Sequence, residues 1–489
     1  MDAERTGGFA PAVAETHSGV VFFFGERAYK AKKPVDLGFL DFRTREARRA
    51  VCHREVALNR RLAPDVYLGV ADLVGPDGEL SDHLVVMRRM PTERRLSVLV
   101  QSGADVTAQL DDLADLLATF HGRADRGAAV DEEAGVDATA GRWAHNTAEM
   151  EAFAGRFLDA AAIEEVDGLA QRYLAGRRPL FERRVAEGRA CDGHGDLLAD
   201  DIFCLDDGPR VLDCLEFDDA LRYGDALADV AFLAMDLERL GRPDLAQRFL
   251  DRYREVSGDR WPRSLAHHHV AYRAQVRAKV SAIRADQGAD GAAEEAVALL
   301  DLAREHLRAG AVRLVLVGGL PGTGKSTLAA ELGGQLGAVV LRTDVIRKEL
   351  AGLEPTASAA APFGEGLYGA DAKAATYAAL LERAEALLVM GETVVLDASW
   401  SLAEERGEAR RLAEQTASDL VELVCVAPPE VTADRMEQRR RRGGDASDAD
   451  PAVAAAMAAQ ADPWPEAHVV DTAGSLDGSV AAARMAIDA

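Results

Sequence analysis

Residues 312–337, VRLVLVGGLPGTGKSTLAAELGGQLG, constrain the fold more than any other stretch of the chain. A largely apolar β-type run enters a glycine-rich turn, which passes directly into a helical pattern. The turn, Gly319-Leu320-Pro321-Gly322-Thr323-Gly324-Lys325-Ser326, satisfies GxxxxGK[ST], and Thr327 continues it into the helix. Its glycines let backbone N–H groups converge on phosphate oxygens, and the following helix adds its positive end. Lys325 is then placed to reach β- and γ-phosphates, and the Ser326 hydroxyl to ligate magnesium. A turn that merely joins strand to helix explains the glycines but not the Lys-Ser pair. The ligand implied is ATP with Mg2+.

Strand and helix patterns keep alternating through AVVLRTD, ETVVLDAS and ELVCVAPP, the signature of a parallel sheet with helices on both faces. The second strand runs into Thr343-Asp344, with Arg347 one helical turn on. Asp344 either faces an acceptor hydroxyl across the sheet edge or caps the helix, and Arg347 is a candidate acceptor-binding residue. Asp397 ends the third strand, where an acid either holds a magnesium-bound water or closes a turn. Arg435 and Arg439 share one face of a later helix, either to neutralise a transferring phosphoryl group or as a solvated basic face. The turn-rich tracts 353–370 and 443–451 are expected to be mobile.

On GLPGTGKST, TDVIR, VVLDAS and the arginine-rich segment with DASDAD, residues 312–472 resemble the P-loop small-molecule kinases that include gluconate kinase, chloramphenicol phosphotransferase and the zeta-toxin group. The resemblance implies Asp344 as acceptor-side base, Arg347 on the acceptor, and Arg435 and Arg439 in a lid. It does not carry over the acceptor itself.

The first ninety or so residues alternate β-type runs, VVFFF and LVVM, with one helical segment, TREARRAVCHREVALNRRLA. From about 106 to 190 the pattern is nearly all helical. His194-Gly195-Asp196 follows, with Asp213 seventeen residues after Asp196 in the strand-like VLDCLEF. Upstream, Ala28-Tyr29-Lys30 lies on a short strand, with Lys32 on the same face, and Glu55 lies on the next helix. The order of strand lysine, helix glutamate, helical lobe, HGD and Asp resembles the aminoglycoside-phosphotransferase and kinase-like fold over about residues 16–300. Together with YKAKKPVDLGFLDF, LNRRLAPDVYLGV and EFDDALRYGDALADVAFLAMDLE, the whole chain resembles bacterial bifunctional aminoglycoside phosphotransferase/ATP-binding proteins.

That resemblance implies Asp196 as the group that orients or deprotonates an acceptor hydroxyl, and Asp213 as a magnesium ligand. Asp201 stands where kinases carry asparagine, as a second ligand. Lys30 or Lys32 holds phosphates, with Glu55 as ion-pair partner. Glu216 and Asp218 are candidate metal or acceptor ligands. Three departures stand out: Gly19 alone replaces a glycine-rich loop, PVDLGFLDFRT is inserted after the lysines, and Asp201 replaces Asn. The histidines His121 and His267–His269 read as packing.

The expected architecture is an α+β protein-kinase-like bilobal domain followed by an α/β P-loop NTPase domain. Its small lobe is assigned to 1–92, its helical lobe to 93–308 and the P-loop domain to 309–489. The net charge of −25 argues against nucleic-acid and anionic-membrane partners. The chain opens without a basic-then-apolar leader and holds no membrane-length apolar run, so a cytosolic location is expected. Five scattered cysteines without metal-ligand spacing read as packed thiols. The function implied is phosphoryl transfer from ATP to a hydroxyl of a sugar, amino sugar or aminoglycoside-like metabolite. The acids Asp196, Asp201, Glu216 and Asp218 suggest a cleft that favours a cationic acceptor. Two rival classes remain: a ligand-sensing pseudokinase that regulates a P-loop ATPase, and a polynucleotide end kinase, which the net charge disfavours.

Overall fold

A computed structural model describes residues 12–15, 19–35, 41–354, 369–442 and 451–488. The tract 355–368 and the DASDAD segment lie outside the described residues, as does much of the PVDLGFLDFRT insertion.

The chain opens with β1 (Ala12–Glu15), β2 (Gly19–Phe24) and β3 (Arg27–Lys32), then α1 (Arg45–Asn59), β4 (Tyr67–Val74) and β5 (Leu80–Arg88). The strands form one sheet in the order β1-β2-β3-β5-β4, with every neighbouring pair antiparallel. Thr44 caps α1, its side chain accepting from the Ala47 N–H. The helix packs its Cys52 and Val56 against Ala28, Tyr67, Val85 and Met87 of the sheet.

Next come α2 (Leu96–Gln101), α3 (Thr107–Arg123), α4 (Ala128–Glu133), α5 (Val136–Met150), α6 (Ala160–Ala175) and α7 (Arg178–Ala186). Within the nearly all-helical stretch read from about 106 to 190, a 3-10 turn at Glu151–Phe153 separates α5 from α6. Short strands β6 (Ala190–Asp192), β7 (Ile202–Leu205), β8 (Gly208–Val211) and β9 (Tyr223–Asp225) follow, and α8 (Ala226–Arg239), α9 (Pro243–Ser257), α10 (Arg263–Asp286) and α11 (Ala292–Ala309) complete this part. The strand read in VLDCLEF stops at Val211. Asp213 takes φ +62°, which no strand accommodates, and its N–H turns to the Tyr67 hydroxyl.

Helix α8 is buried on nearly every side, including Asp229 and Asp236. A helix apolar all round belongs at the centre of a core. Two carboxylates are tolerated there only when fully hydrogen-bonded.

The last part contains β10 (Arg313–Gly318), α12 (Lys325–Leu336), β11 (Val339–Arg342), α13 (Thr343–Leu350), α14 (Ala370–Leu388), β12 (Val394–Asp397), α15 (Ala403–Gln415), β13 (Asp419–Val426), α16 (Pro429–Arg442), α17 (Pro451–Gln460), β14 (His468–Asp471) and α18 (Leu476–Ile487). Its five strands are all parallel, in the order β11-β12-β10-β13-β14. Val315, Val317, Val395 and Leu423 of the sheet pack on Leu328 and Leu332 of α12 and on Ala483 of α18.

The chain divides into two compact units. One comprises the chain up to Ile163 with Glu182–Trp261 and His269–Arg304; the other comprises Glu164–Phe181, Pro262–His268 and Glu305 onward. Among the described residues no helix is long and apolar enough to cross a membrane. All five cysteines are free and buried.

Candidate functional site

In the N-terminal unit, the two-residue period of β3 buries Lys30 and Lys32 on one face. Glu55 of α1, with no exposure, receives one lysine on each oxygen: Lys30 at 2.9 Å and Lys32 at 2.7 Å. Their second partners differ. Lys30 Nζ lies 2.6 Å from Asp213 Oδ1, and Lys32 Nζ lies 2.5 Å from Glu216 Oε1. Burial alone would lower the Lys30 pKa, but Asp213 and Glu55 outweigh it and hold it well above its ordinary value. Lys30 is thus the lysine beside the candidate metal ligand. Glu216 is buried on Lys32, and Asp218 is exposed and caps the Ala220 N–H.

The loop after β6 is fixed from α8. Asp229 accepts the N–H groups of His194 and Gly195, each at 2.8 Å, and Asp236 accepts that of Ala199 at 2.8 Å. Gly195 has φ +88°, and a Cβ there would sit 3.0 Å from Arg222 Cγ, so glycine is required at this turn. His194, fully buried, places Nε2 3.1 Å from the Leu212 carbonyl, and burial lowers its pKa. The sequence reads His121 as packing, yet its ring bridges Asp229 (3.0 Å) and the Tyr253 hydroxyl (2.8 Å). A histidine 108 residues from its carboxylate carries no local signal of that contact.

The carboxylates here compete for charge. Burial pushes Asp196 up to about 6, within reach of a base that works near neutral pH. Burial, reinforced by Asp213 and Asp196, holds Asp201 well above the carboxylate range. At Asp213 burial acts upward too, but Lys30 outweighs it and the group stays below its usual value. Asp201 and Asp213 stand at the two feet of the β7–β8 hairpin, linked by Leu212 N–H to the Asp201 carbonyl at 2.9 Å. Hard oxygen donors that repel one another fit a divalent cation. Among the described residues no group of three or more potential ligands is close enough to hold a metal alone. Magnesium needs only one or two carboxylates when phosphates complete its shell.

In the C-terminal unit the glycine turn leaves β10 beside β12. Val317 pairs with Asp397, and the Gly319 N–H reaches Ser399 O at 3.3 Å. Gly319 has φ +139°, and a Cβ there would lie 2.7 Å from the Cys425 carbonyl. Among the described residues the side chains of Lys325 and Ser326 make no hydrogen bond or ion pair. Asp397 is buried; its Oδ2 receives Arg342 Nε at 3.1 Å, while Oδ1 has no partner. An uncompensated ammonium, an unbonded hydroxyl and an orphaned buried carboxylate oxygen at one sheet edge fit ATP and magnesium.

Arg435 lies over this turn. Its Nη2 donates to the Thr472 carbonyl at 2.6 Å, and Nη1 is 3.3 Å from the place a Gly324 Cβ would occupy. Thr472, unforeseen from sequence, donates through Oγ1 to the Thr323 carbonyl and so ties β14 to the turn. The Arg439 side chain lies outside the described residues. Asp344 and Arg347 pair with each other at 2.8 Å, and Thr343 donates to the Asp397 carbonyl. Arg342 was also unforeseen, although it pairs in register with Asp397 on the neighbouring strand.

Residues 38–267 match the model of the phosphotransferase enzyme family, and residues 314–464 match that of an AAA domain. An uncharacterized protein of Mycobacterium tuberculosis (strain ATCC 25618 / H37Rv) is 46% identical over 468 residues, covering 96% of this chain and 93% of the relative. Among solved structures, the chain is similar to a choline/ethanolamine kinase family protein from Mesorhizobium loti: 15% identity, 63% of this chain, 94% of that one, TM-score 0.37. It is also similar to a gluconokinase from Sinorhizobium meliloti 1021: 19% identity, 36% of this chain, 91% of that one, TM-score 0.26.

Proposed function

The chain belongs to the family of bifunctional aminoglycoside phosphotransferase-like/ATP-binding proteins and is an ATP-dependent small-molecule kinase, and from that premise we propose that each unit transfers the γ-phosphoryl group of ATP to a hydroxyl of a small polar metabolite. A sugar or sugar-like polyol is the acceptor class. The observation that carries the reading is the buried, unpartnered Oδ1 of Asp397 at the same sheet edge as the unpaired Lys325.

In the C-terminal unit the backbone N–H groups of Gly322, Gly324, Lys325 and Ser326 receive phosphate oxygens, Lys325 bridges toward the γ-phosphate, and Arg435 neutralises charge above the turn. Asp344, steadied by Arg347, faces the acceptor hydroxyl. In the N-terminal unit Lys30 holds phosphates and Asp196 takes the acceptor proton. Magnesium, held by Ser326 and Asp397 in one unit and by Asp201 and Asp213 in the other, would supply charge neutralisation. In both, the acceptor oxygen bonds to the γ-phosphorus as the bond to the β,γ-bridging oxygen breaks, and ADP leaves with that electron pair. Catalysis comes from positioning and electrostatics.

Labelled phosphoryl transfer to a metabolite panel by wild type, Lys325→Ala and Asp196→Ala tests this. Each variant is expected to lose one set of products by about a hundredfold or more. ATP consumption without any phosphorylated acceptor, unaffected by Asp196→Ala, would sink the N-terminal assignment and favour a ligand-sensing domain.

A further inference from the structure

Helix α10 brings arginines, not acids, to Asp196. Arg273 Nε donates to the Ala228 carbonyl at 3.1 Å, and its Nη1 comes within 3.5 Å of the Gly195 carbonyl. This turn of α10 therefore packs on the backbone of the residue immediately before Asp196. Four residues on, the same helix face presents Arg277. Arg277 is half-buried, and among the described residues its guanidinium makes no hydrogen bond or ion pair. Two other basic groups of this helix are tied down. Lys279 reaches Asn146 at 2.7 Å and Glu149 at 2.5 Å, and Arg284 reaches Glu295 at 3.3 Å.

A merely solvated arginine would lie open on the surface and act on nothing. Instead, against the burial that pushes Asp196 up, Arg277 is the strongest of the charges pulling it back, followed by Arg273; Asp213 and Asp236 push it further up. Of the acids expected to line an acidic acceptor wall, Glu216 is spent on Lys32 and Asp218 accepts the Ala220 N–H. One turn along α10 from the contact on Gly195, Arg277 therefore offers a planar fork of five N–H donors that, among the described residues, makes no hydrogen bond or ion pair.

We propose that the acceptor of the N-terminal site carries an anionic group, a carboxylate or a phosphate monoester, which Arg277 receives while the acceptor hydroxyl faces Asp196. The proposal rests on the phosphotransferase reading of this unit and specifies its substrate class. An amino sugar would set its ammonium against two guanidiniums and is rejected. The acceptor's own proton passes to Asp196 as its oxygen bonds to the γ-phosphorus and ADP departs. Arg277 enters no bond change.

The test uses the full chain carrying Lys325→Ala, with magnesium and a non-hydrolysable ATP analogue. Calorimetry measures binding of glucuronate, glucose 6-phosphate, glucose and glucosamine to this protein and to its Arg277→Gln and Arg277→Glu derivatives. At least one anionic sugar is expected to bind about tenfold or more tightly than glucose, and the preferred anion identifies carboxylate or phosphate. Arg277→Gln should erase that advantage, and Arg277→Glu should move preference toward glucosamine. Absence of binding by every sugar, equal binding of glucosamine and the anions, or an anion preference that survives Arg277→Gln would overturn the proposal. Transfer from labelled ATP to the same four sugars is the second readout. A uniform loss of rate in Arg277→Gln at unchanged affinities would assign the guanidinium to the transferring phosphoryl group and also overturn it. Arg277-dependent anion binding without Asp196-dependent transfer keeps the site and removes the kinase reading; Asp196-dependent transfer to glucosamine does the reverse.

Discussion

Asp229 shows how much one buried side chain decides. It accepts two backbone N–H groups of the His194–Gly195 turn and a contact from His121. Burial alone would raise its pKa, but His121 and His194 outweigh it and hold the carboxyl well below the usual range. Because the folded-state value lies below that of the unfolded chain, the stabilisation is fully present above about pH 4 and is lost as pH falls further. Asp229→Asn should therefore destabilise the protein by about 3 kcal/mol at pH 7. The gap from wild type should narrow below about pH 4. Urea midpoints at pH 7, 5 and 3 measure this, and a gap constant across the series would show that the charge is not what holds the turn. The acid itself is plain in DALADVAFLAMDLE, but its clients are not, because they arrive from 34 residues away and farther.

The β7–β8 hairpin works as an element: its two feet carry Asp201 and Asp213 toward the same space. With Asp196 nearby, three carboxylates resist ionising together, and Asp213 and Asp196 add to the burial that holds Asp201 well above the carboxylate range. As a ligand in the proposed metal site, an aspartate in place of asparagine would make phosphoryl transfer more dependent on magnesium. Asp201→Asn should support phosphoryl transfer at several-fold lower magnesium than wild type, read from rates across a magnesium titration at fixed ATP. Identical titrations would remove Asp201 from the metal site. Strand period sufficed to place Lys30 and Lys32 together on β3, but which one faces Asp213 follows from the hairpin, not the strand. The strand expected through Asp213 fails for the same reason, since the residue leaves the ladder to meet Tyr67 and Lys30.

At the scale of the molecule, the P-loop unit includes more chain than the division at residue 309 implies. Within it, Arg177, only 1% exposed, donates to the Thr416 carbonyl at 2.7 Å, Arg172 pairs with Asp419 at 3.0 Å, and Ser264 donates to the Gly391 carbonyl at 2.7 Å. A fragment of residues 309–489 lacks all three donors. It should be less stable than the same unit in the full chain by about 2–5 kcal/mol. ATP-analogue binding followed through urea titrations of both proteins measures this, and equal midpoints would show the linear boundary to be the physical one. The sequence by itself determined both fold classes and the glycine turn, because those features are local: glycine spacing, strand period and a short motif specify them within a few residues. Only the tertiary structure decided which lysine meets Asp213, that Glu216 pairs with Lys32, and that α10 packs on the turn before Asp196. Those outcomes depend on charges brought together from distant parts of the chain, where burial makes each pairing selective in a way that no local pattern records.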